Sequence, residues 1–152
     1  MGTERLDHYI EAWLLHPQAG AQDGQKELEQ LLACMSFDVC YEDVPTGMVF
    51  DGHEGVADMA AAAHAWSTDL SVRVTSRLTD GTRFCFESEN AGTNTGDMGA
   101  LRATGKRFAF RGVSVGRFGS DGLVTEQRDY WDLMTFLGQI GAVPGADPLG
   151  MG

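Results

Sequence analysis

Acidic side chains beside aromatic ones offer the clearest chemistry in the sequence, and Asp129 is the foremost of them. If the chain from Gln127 to Trp131 is a strand, alternation places Gln127, Asp129 and Trp131 on one face and Arg128 and Tyr130 on the other. Because Trp131 favours burial, Asp129 is expected beside it on the inner face. Burial disfavours the charged form of a carboxylate, so Asp129 is a candidate acid or base near neutral pH. The alternative is a surface ion pair with a nearby arginine.

Tyr41 and Asp43 are a second pair of candidates, because alternation puts them on one face of an earlier strand and Glu42 on the other. Both side chains can exchange hydrogen bonds with a ligand or with another acid, which makes them candidates for the same pocket. Two alternatives stay open. Tyr41 would then be a core tyrosine whose hydroxyl is satisfied by the backbone, and Asp43 would merely end a strand before Pro45.

The lining of a pocket is predicted on the strand that precedes Asp129. Phe108, Phe110 and Gly112 share one face, which supplies two aromatic walls and then a glycine that leaves volume for a ligand. A packed core would explain the two phenylalanines equally well, and Gly112 favours the cavity. Phe136 in the last helix is expected to close the side. His64, in an alanine-rich helix, is placed either at the pocket mouth or as a partly exposed helix residue. The other histidines, His8, His16 and His53, are expected at the surface.

Composition excludes several classes of function. The 152 residues include 22 acidic and 11 basic side chains, a formal net charge of −11, so nucleic acid and anionic membrane surfaces are not expected partners. The three cysteines and four histidines show no metal-ligand spacing, and no nucleotide- or phosphate-binding motif is present, so no metal or cofactor is expected. Charged residues near the N-terminus interrupt any signal-peptide pattern, and the chain is expected in the cytoplasm.

Hydrophobic periodicity predicts one α+β domain over residues 1–152, in which about four helices cover one face of a curved antiparallel sheet. The glycine- and proline-rich segment 142–152 is expected to be a flexible tail. The predicted helices are Glu4–Leu14, Lys26–Met35, His53–Ser67 and Leu133–Gln139. The predicted strands are Phe37–Val44, Leu70–Leu78, Thr82–Ala91, Lys106–Phe118 and Leu123–Trp131, with a short strand or turn at Met48–Phe50.

Three local patterns give the chain a resemblance to a known family. They are Tyr41-Glu42-Asp43-Val44-Pro45 before Gly52, Gly92-Thr93-Asn94-Thr95-Gly96 before Thr104-Gly105-Lys106, and Glu126-Gln127-Arg128-Asp129-Tyr130-Trp131-Asp132 after Asp121-Gly122. In this order the chain resembles the SnoaL-like polyketide cyclases and their limonene-epoxide-hydrolase-like and ketosteroid-isomerase-like relatives. The resemblance implies a cystatin-like conical barrel whose open end admits an apolar small molecule. It also implies a homodimer.

The resemblance assigns roles to particular residues. Asp129 matches the aspartate that activates water in the epoxide-hydrolase relatives, and Tyr41 and Asp43 match the positions that hold that water, with Asp43 in place of an asparagine. Those relatives protonate the epoxide with an arginine and an aspartate on a central strand. The equivalent stretch here, Glu87-Ser88-Glu89, lacks the arginine and leaves Glu89 as the acid. Asn94 stands where many cyclase relatives carry a histidine.

Three functions follow from this resemblance. The first is a cofactor-independent cyclase, isomerase or dehydratase for a bulky polyketide-, terpenoid- or steroid-like substrate. In it Asp129 abstracts a proton beside a carbonyl, Tyr41 or Asn94 binds the enolate oxygen, and Asp43 orients Asp129 or a water molecule. The second is an epoxide hydrolase or epoxide-opening cyclase with Glu89 or Asp43 as the acid. The third is a small-molecule-binding domain without catalysis.

Overall fold

A computed structural model describes residues 2–143 of the chain, and the predicted tail at 142–152 falls almost wholly outside them. Within this range lie six strands in one curved, open sheet, four helices of seven or more residues, and one helix of four residues. The helices are α1 (Glu4–Trp13), α2 (His16–Ala19), α3 (Gln25–Leu32), α4 (Gly52–Trp66) and α5 (Leu133–Gln139). The strands are β1 (Met35–Asp43), β2 (Met48–Asp51), β3 (Ser71–Thr79), β4 (Arg83–Thr93), β5 (Arg107–Phe118) and β6 (Val124–Trp131).

The α+β class predicted from the sequence is confirmed, and β3 to β6 form the predicted antiparallel meander. The strand order is β2-β1-β6-β5-β4-β3, so β1 lies beside the last strand of the meander. This β1–β6 pair is parallel, whereas an antiparallel sheet was predicted. Parallel neighbours need a long connection, and most of the chain lies between these two strands. The register places Tyr41 opposite Gln127 and Asp43 opposite Asp129.

The start of the chain differs from the prediction at two points. The helix α2 was not predicted, because Pro17 and Gly20 favour the end of a helix. Pro17 instead lies in the first turn of α2, where its missing N–H costs no intrahelical hydrogen bond. Helix α3 ends at Leu32 and not at Met35, because Met35 is the buried first residue of β1.

Two hydrophobic clusters hold the helices on the sheet. In the larger one, α1 buries Leu6, Tyr9, Ile10 and Trp13, the side of the helix that three-and-four spacing predicted. The smaller one is aromatic and fixes α5 through Phe136, which is fully buried. No helix among residues 2–143 is long and apolar enough to cross a membrane.

Candidate active site

A cavity of about 140 Å³ opens between the inner face of the sheet and the helices α1, α2 and α4. Apolar side chains form most of its wall. The polar side chains that face it come from α2, β1, β4, β5 and β6 and from the turn between β1 and β2, and they include the candidate acids Asp43 and Asp129. They are His16, Tyr41, Asp43, Thr46, Ser88, Asn90, Ser114 and Asp129.

Asp129 is largely enclosed at the wall of this cavity, and three donors hold its carboxylate. Ser114 Oγ donates to Oδ1 at 2.7 Å and Gln127 Nε2 donates to the same oxygen at 2.8 Å, while the Tyr41 hydroxyl donates to Oδ2. Burial raises the pKa of Asp129, the three hydrogen bonds oppose that rise, and the nearby charge of Asp43 adds to it. The result is a carboxylate that is fixed in position and more basic than an exposed aspartate.

The side chains behind Asp129 fix the direction of the Tyr41 hydroxyl. Trp13 Nε1 donates to the Tyr41 oxygen at 2.9 Å and Gln127 Nε2 donates to it at 3.1 Å, while Tyr9 donates to Gln127 Oε1 at 2.5 Å. The single Tyr41 proton is therefore committed to Asp129. Burial, followed by the negative charge of Asp129, raises the pKa of Tyr41 well above its ordinary value, so the phenol stays protonated.

Asp43 lies at the cavity wall on the strand beside Asp129. Trp131 Nε1 donates to Asp43 Oδ1 at 2.6 Å, and Thr46 Oγ1 donates to Oδ2 at 2.5 Å. The β1–β6 register puts Asp43 and Asp129 opposite each other, and their interaction is electrostatic, without a hydrogen bond between them. The predicted inner face of β6, with Asp129 beside Trp131, is therefore the cavity face.

The residues that β4 turns toward the cavity are Ser88 and Asn90, and this corrects the expectation for Glu89. Glu89 points to the outer face, where it is exposed and pairs with Arg73 at 2.6 Å. Asn90 Nδ2 donates to Ser88 Oγ at 3.1 Å. The signal was present in the sequence, because Phe84 and Phe86 are in phase with Ser88 and Asn90, and their burial fixes which face of β4 points inward.

Asn94 was expected at the substrate and lies elsewhere, and His64 takes the second of its two expected placements, as a partly exposed residue of helix α4. Asn94 is buried in the glycine-rich loop, where Oδ1 accepts from the Thr104 N–H at 2.9 Å and Nδ2 donates to the Gly96 carbonyl at 2.9 Å. Its polar atoms stabilise the loop and do not reach the cavity. His64 faces a separate groove, which it shares with Gln18. Hydrogen bonds within the loop therefore occupy Asn94, and His64 lies on a side of α4 that does not face the cavity.

The predicted aromatic residues divide between the cavity wall and the layer behind it. Phe110, Gly112 and Trp131 line the cavity, and the rings of Phe110 and Trp131 pack at 4.7 Å between centroids. Phe108 and Phe136 do not line it. They pack against each other at 5.0 Å and support the wall from behind, because α5 covers that part of β5.

His16 was expected at the surface and is instead a buried residue of the cavity wall. Its Nδ1 atom lies 2.8 Å from the carbonyl oxygen of Trp13, and its ring packs 4.8 Å from the Trp13 ring. Burial lowers the pKa of His16 to about 4, and the Trp13 carbonyl opposes this in part. The side chain is therefore neutral near pH 7. Sequence reasoning missed it because the neighbouring Pro17 suggested a loop.

Metal-ligating residues do not gather in the part of the chain that the structure describes: no three side chains of His, Cys, Asp or Glu converge there in a way that could hold an ion.

A family model described as SnoaL-like polyketide cyclase matches residues 15–140 of the chain. None of the curated proteins compared with the chain matches it.

Several solved structures share the fold. A candidate SnoaL-like polyketide cyclase from Jannaschia sp. CCS1 is 16% identical, with 93% of this chain and 94% of that chain covered and a TM-score of 0.77. TsrD from Streptomyces laurentii is 20% identical, with 94% and 99% covered and a TM-score of 0.79. A protein of ketosteroid isomerase-like fold from Catenulispora acidiphila DSM 44928, in complex with trimethylamine, is 20% identical, with 88% and 92% covered and a TM-score of 0.70. At these identities the structures establish the fold alone.

Proposed function

Because the chain belongs to the SnoaL-like polyketide cyclase family, we propose that it is a cofactor-independent acid/base enzyme that moves a proton on an apolar substrate. The reaction would be the cyclisation, isomerisation or dehydration of a polyketide-, terpenoid- or steroid-like molecule. The observation that carries this proposal is the carboxylate of Asp129, which opens on a mainly apolar cavity while three donors fix its position.

The base in this reaction is Asp129. It would take a proton from a carbon next to a carbonyl, which is a step that general bases accelerate by about 10²- to 10⁴-fold. Burial makes the carboxylate more basic, and the bonds from Tyr41, Ser114 and Gln127 hold it in one orientation as it accepts the proton. Tyr41 is thus assigned to positioning Asp129, and no longer to the substrate oxygen, because its proton is committed.

The enolate oxygen needs donors on the opposite side of the substrate, and Ser88 and Asn90 fit that role. The Ser88 hydroxyl accepts from Asn90, which leaves its own proton and the second amide proton of Asn90 for a ligand. Gly112 leaves the space beside them: a Cβ atom there would lie 3.1 Å from Ser88 Oγ and 3.5 Å from Asn90 Nδ2. Ser88 and Asn90 therefore replace Tyr41 and Asn94 in the proposed mechanism.

The size of the cavity limits how much of the substrate it encloses. A volume of about 140 Å³ is close to that of an engineered apolar cavity of about 150 Å³ that binds benzene. One ring of the substrate would therefore enter beside Asp129, and the rest of a bulky molecule would lie at the opening.

The test is exchange of the α-protons of a one-ring ketone, cyclohexanone, for deuterium, followed by proton NMR in D₂O. Asp129→Asn removes the proton acceptor while keeping the size of the side chain, so the exchange rate should fall by about 10²-fold or more. Asp132→Asn is the matched control. Asp132 caps α5 by accepting from the Thr135 N–H at 2.9 Å, and asparagine caps nearly as well, so exchange should continue. The proposal is contradicted if Asp132→Asn loses exchange while Asp129→Asn keeps it, or if the unmodified protein shows no exchange.

Epoxide opening is the second candidate, favoured by the two carboxylates Asp43 and Asp129 on neighbouring strands. With Glu89 on the outer face, Asp43 is the acid that this reaction would use. Incorporation of ¹⁸O from labelled water into the product of a one-ring epoxide would identify it. A small-molecule-binding domain without catalysis would bind such probes and leave all of them unchanged.

A further inference from the structure

The proposed mechanism leaves one buried polar group of the cavity without a role. His16 is 7% exposed and lines the cavity that Asp129 opens on. A carbonyl oxygen can only accept a hydrogen bond, so the 2.8 Å contact with the Trp13 carbonyl requires the proton to be on Nδ1. The tautomer of His16 is thereby fixed, and its Nε2 atom carries a free lone pair.

The Nε2 atom of His16 is open to a ligand. Among the described residues it has no hydrogen-bond partner. In the same part of the chain, the side-chain polar atom that is both unpartnered and sealed from solvent is Ser36 Oγ. Nε2 is unpartnered but not sealed, so it keeps some accessible surface. An accessible acceptor on a residue that lines the cavity must therefore be satisfied by water or by a bound molecule. Because burial lowers the pKa of His16 to about 4, the lone pair stays free near pH 7.

We propose that Nε2 of His16 accepts a hydrogen bond from a hydroxyl group of the substrate, so that the cavity selects a hydroxylated ring over an unsubstituted one. No lysine or arginine lines the cavity among the residues described, and Asp43, Asp129 and His16 all present acceptors to it. A hydroxyl group on the substrate would supply a donor to these acceptors, while the free protons of Ser88 and Asn90 remain for the substrate carbonyl. This inference deepens the proposed function by naming a feature of its substrate.

The experiment compares phenol with toluene, two one-ring probes of nearly equal size that differ in the donor. Protein labelled with ¹⁵N-histidine is titrated with each probe, and the ring-nitrogen resonances and the dissociation constants are measured. Phenol should bind about tenfold more tightly than toluene, the effect of one buried hydrogen bond, and should displace the His16 Nε2 resonance. Toluene should leave that resonance close to its position in the free protein.

Two variants separate this role from a merely structural one. Asn places an N–H where the Nδ1 of histidine lies, so His16→Asn keeps the bond to the Trp13 carbonyl and loses the cavity acceptor. It should bind phenol and toluene equally. Gln places an oxygen near the position of Nε2, so His16→Gln should retain part of the preference for phenol.

Three results would overturn the inference: equal affinity of the unmodified protein for both probes, a preference for phenol with the Nε2 resonance unmoved, or binding of neither. The unmodified protein decides each of these even if a variant fails to fold. Neither probe has a proton beside a carbonyl, so the outcome is independent of the ketone exchange. If the unmodified protein failed to exchange the ketone protons but kept its preference for phenol, the proposed reaction would be refuted and the role of His16 would stand.

Discussion

The neutral state of His16 makes the stability of the protein depend on pH in a calculable way. In the folded protein the pKa of His16 is about 4, against an ordinary value of 6.5. As the pH falls below 6.5, the unfolded chain therefore binds a proton that the folded chain excludes, and the free energy of unfolding decreases until the pH reaches about 4. Each pKa unit corresponds to about 1.4 kcal/mol, so the whole loss is about 3 kcal/mol, of which about 2 kcal/mol is lost by about pH 5.

Urea unfolding at about pH 7.5 and about pH 5 measures this loss, and His16→Asn isolates the contribution of the histidine. The variant keeps an N–H for the Trp13 carbonyl and cannot titrate in this range. Every other titrating group, including Asp129, is common to both proteins. The unmodified protein should therefore lose about 2 kcal/mol more than His16→Asn between the two pH values.

The matched control is His8→Asn in helix α1. The variant replaces an exposed histidine and keeps His16, so it should lose as much stability between the two pH values as the unmodified protein. If the unmodified protein and His16→Asn lose equal stability, His16 is not excluded from protonation in the fold. The burial argument, and with it the free lone pair at Nε2, would then be wrong.

The remaining predictions concern Asp129, the cavity and the assembly. Ser114→Ala removes a donor to the Asp129 carboxylate, so its pKa should rise and the acidic limb of the pH profile for ketone exchange should move to higher pH. Gly112→Leu should abolish probe binding with little change in the melting temperature; a packed site would instead lose about 1–3 kcal/mol in urea unfolding. Phe136→Ala should cost about 3–5 kcal/mol in the same assay, because Phe136 is the fully buried residue of α5 that packs against Phe108 of β5, and a cost under about 1 kcal/mol would contradict that anchoring. Light scattering should give twice the chain mass if the homodimer implied by the resemblance forms, and a mass of 16.4 kDa excludes it.

Local pattern was sufficient for the four longer helices, for the strands of the meander and for the faces of β1, β5 and β6, but not for the short helix α2. The side chains of a strand alternate regardless of what packs on it, so Tyr41 with Asp43, and Asp129 with Trp131, could be grouped from the sequence. The N-cap at Asp132 is local in the same sense, because the donor that it binds is three residues away.

Alternation does not say which of two faces points inward unless a buried residue sets the phase. On β6 that residue is Trp131. On β4 the phase is set by the buried pair Phe84 and Phe86, which puts Glu89 on the outer face. The inward position expected for Glu89 came from the family resemblance and ignored this phase. Alternation from Phe84 and Phe86 also places Ser88 and Asn90 on the inner face, where they line the cavity.

Contacts between distant segments were decided by the tertiary structure alone. The pairing of β1 with β6 brings Asp43 beside Asp129 and the Tyr41 hydroxyl onto the Asp129 carboxylate, across 88 positions of sequence. The position of His16 depends on how α2 lies against the sheet. Which strands become neighbours, and where a helix packs, depends on the burial of the whole core. The free energy of that burial comes from contacts between residues far apart in the chain, so a short window of sequence cannot predict it.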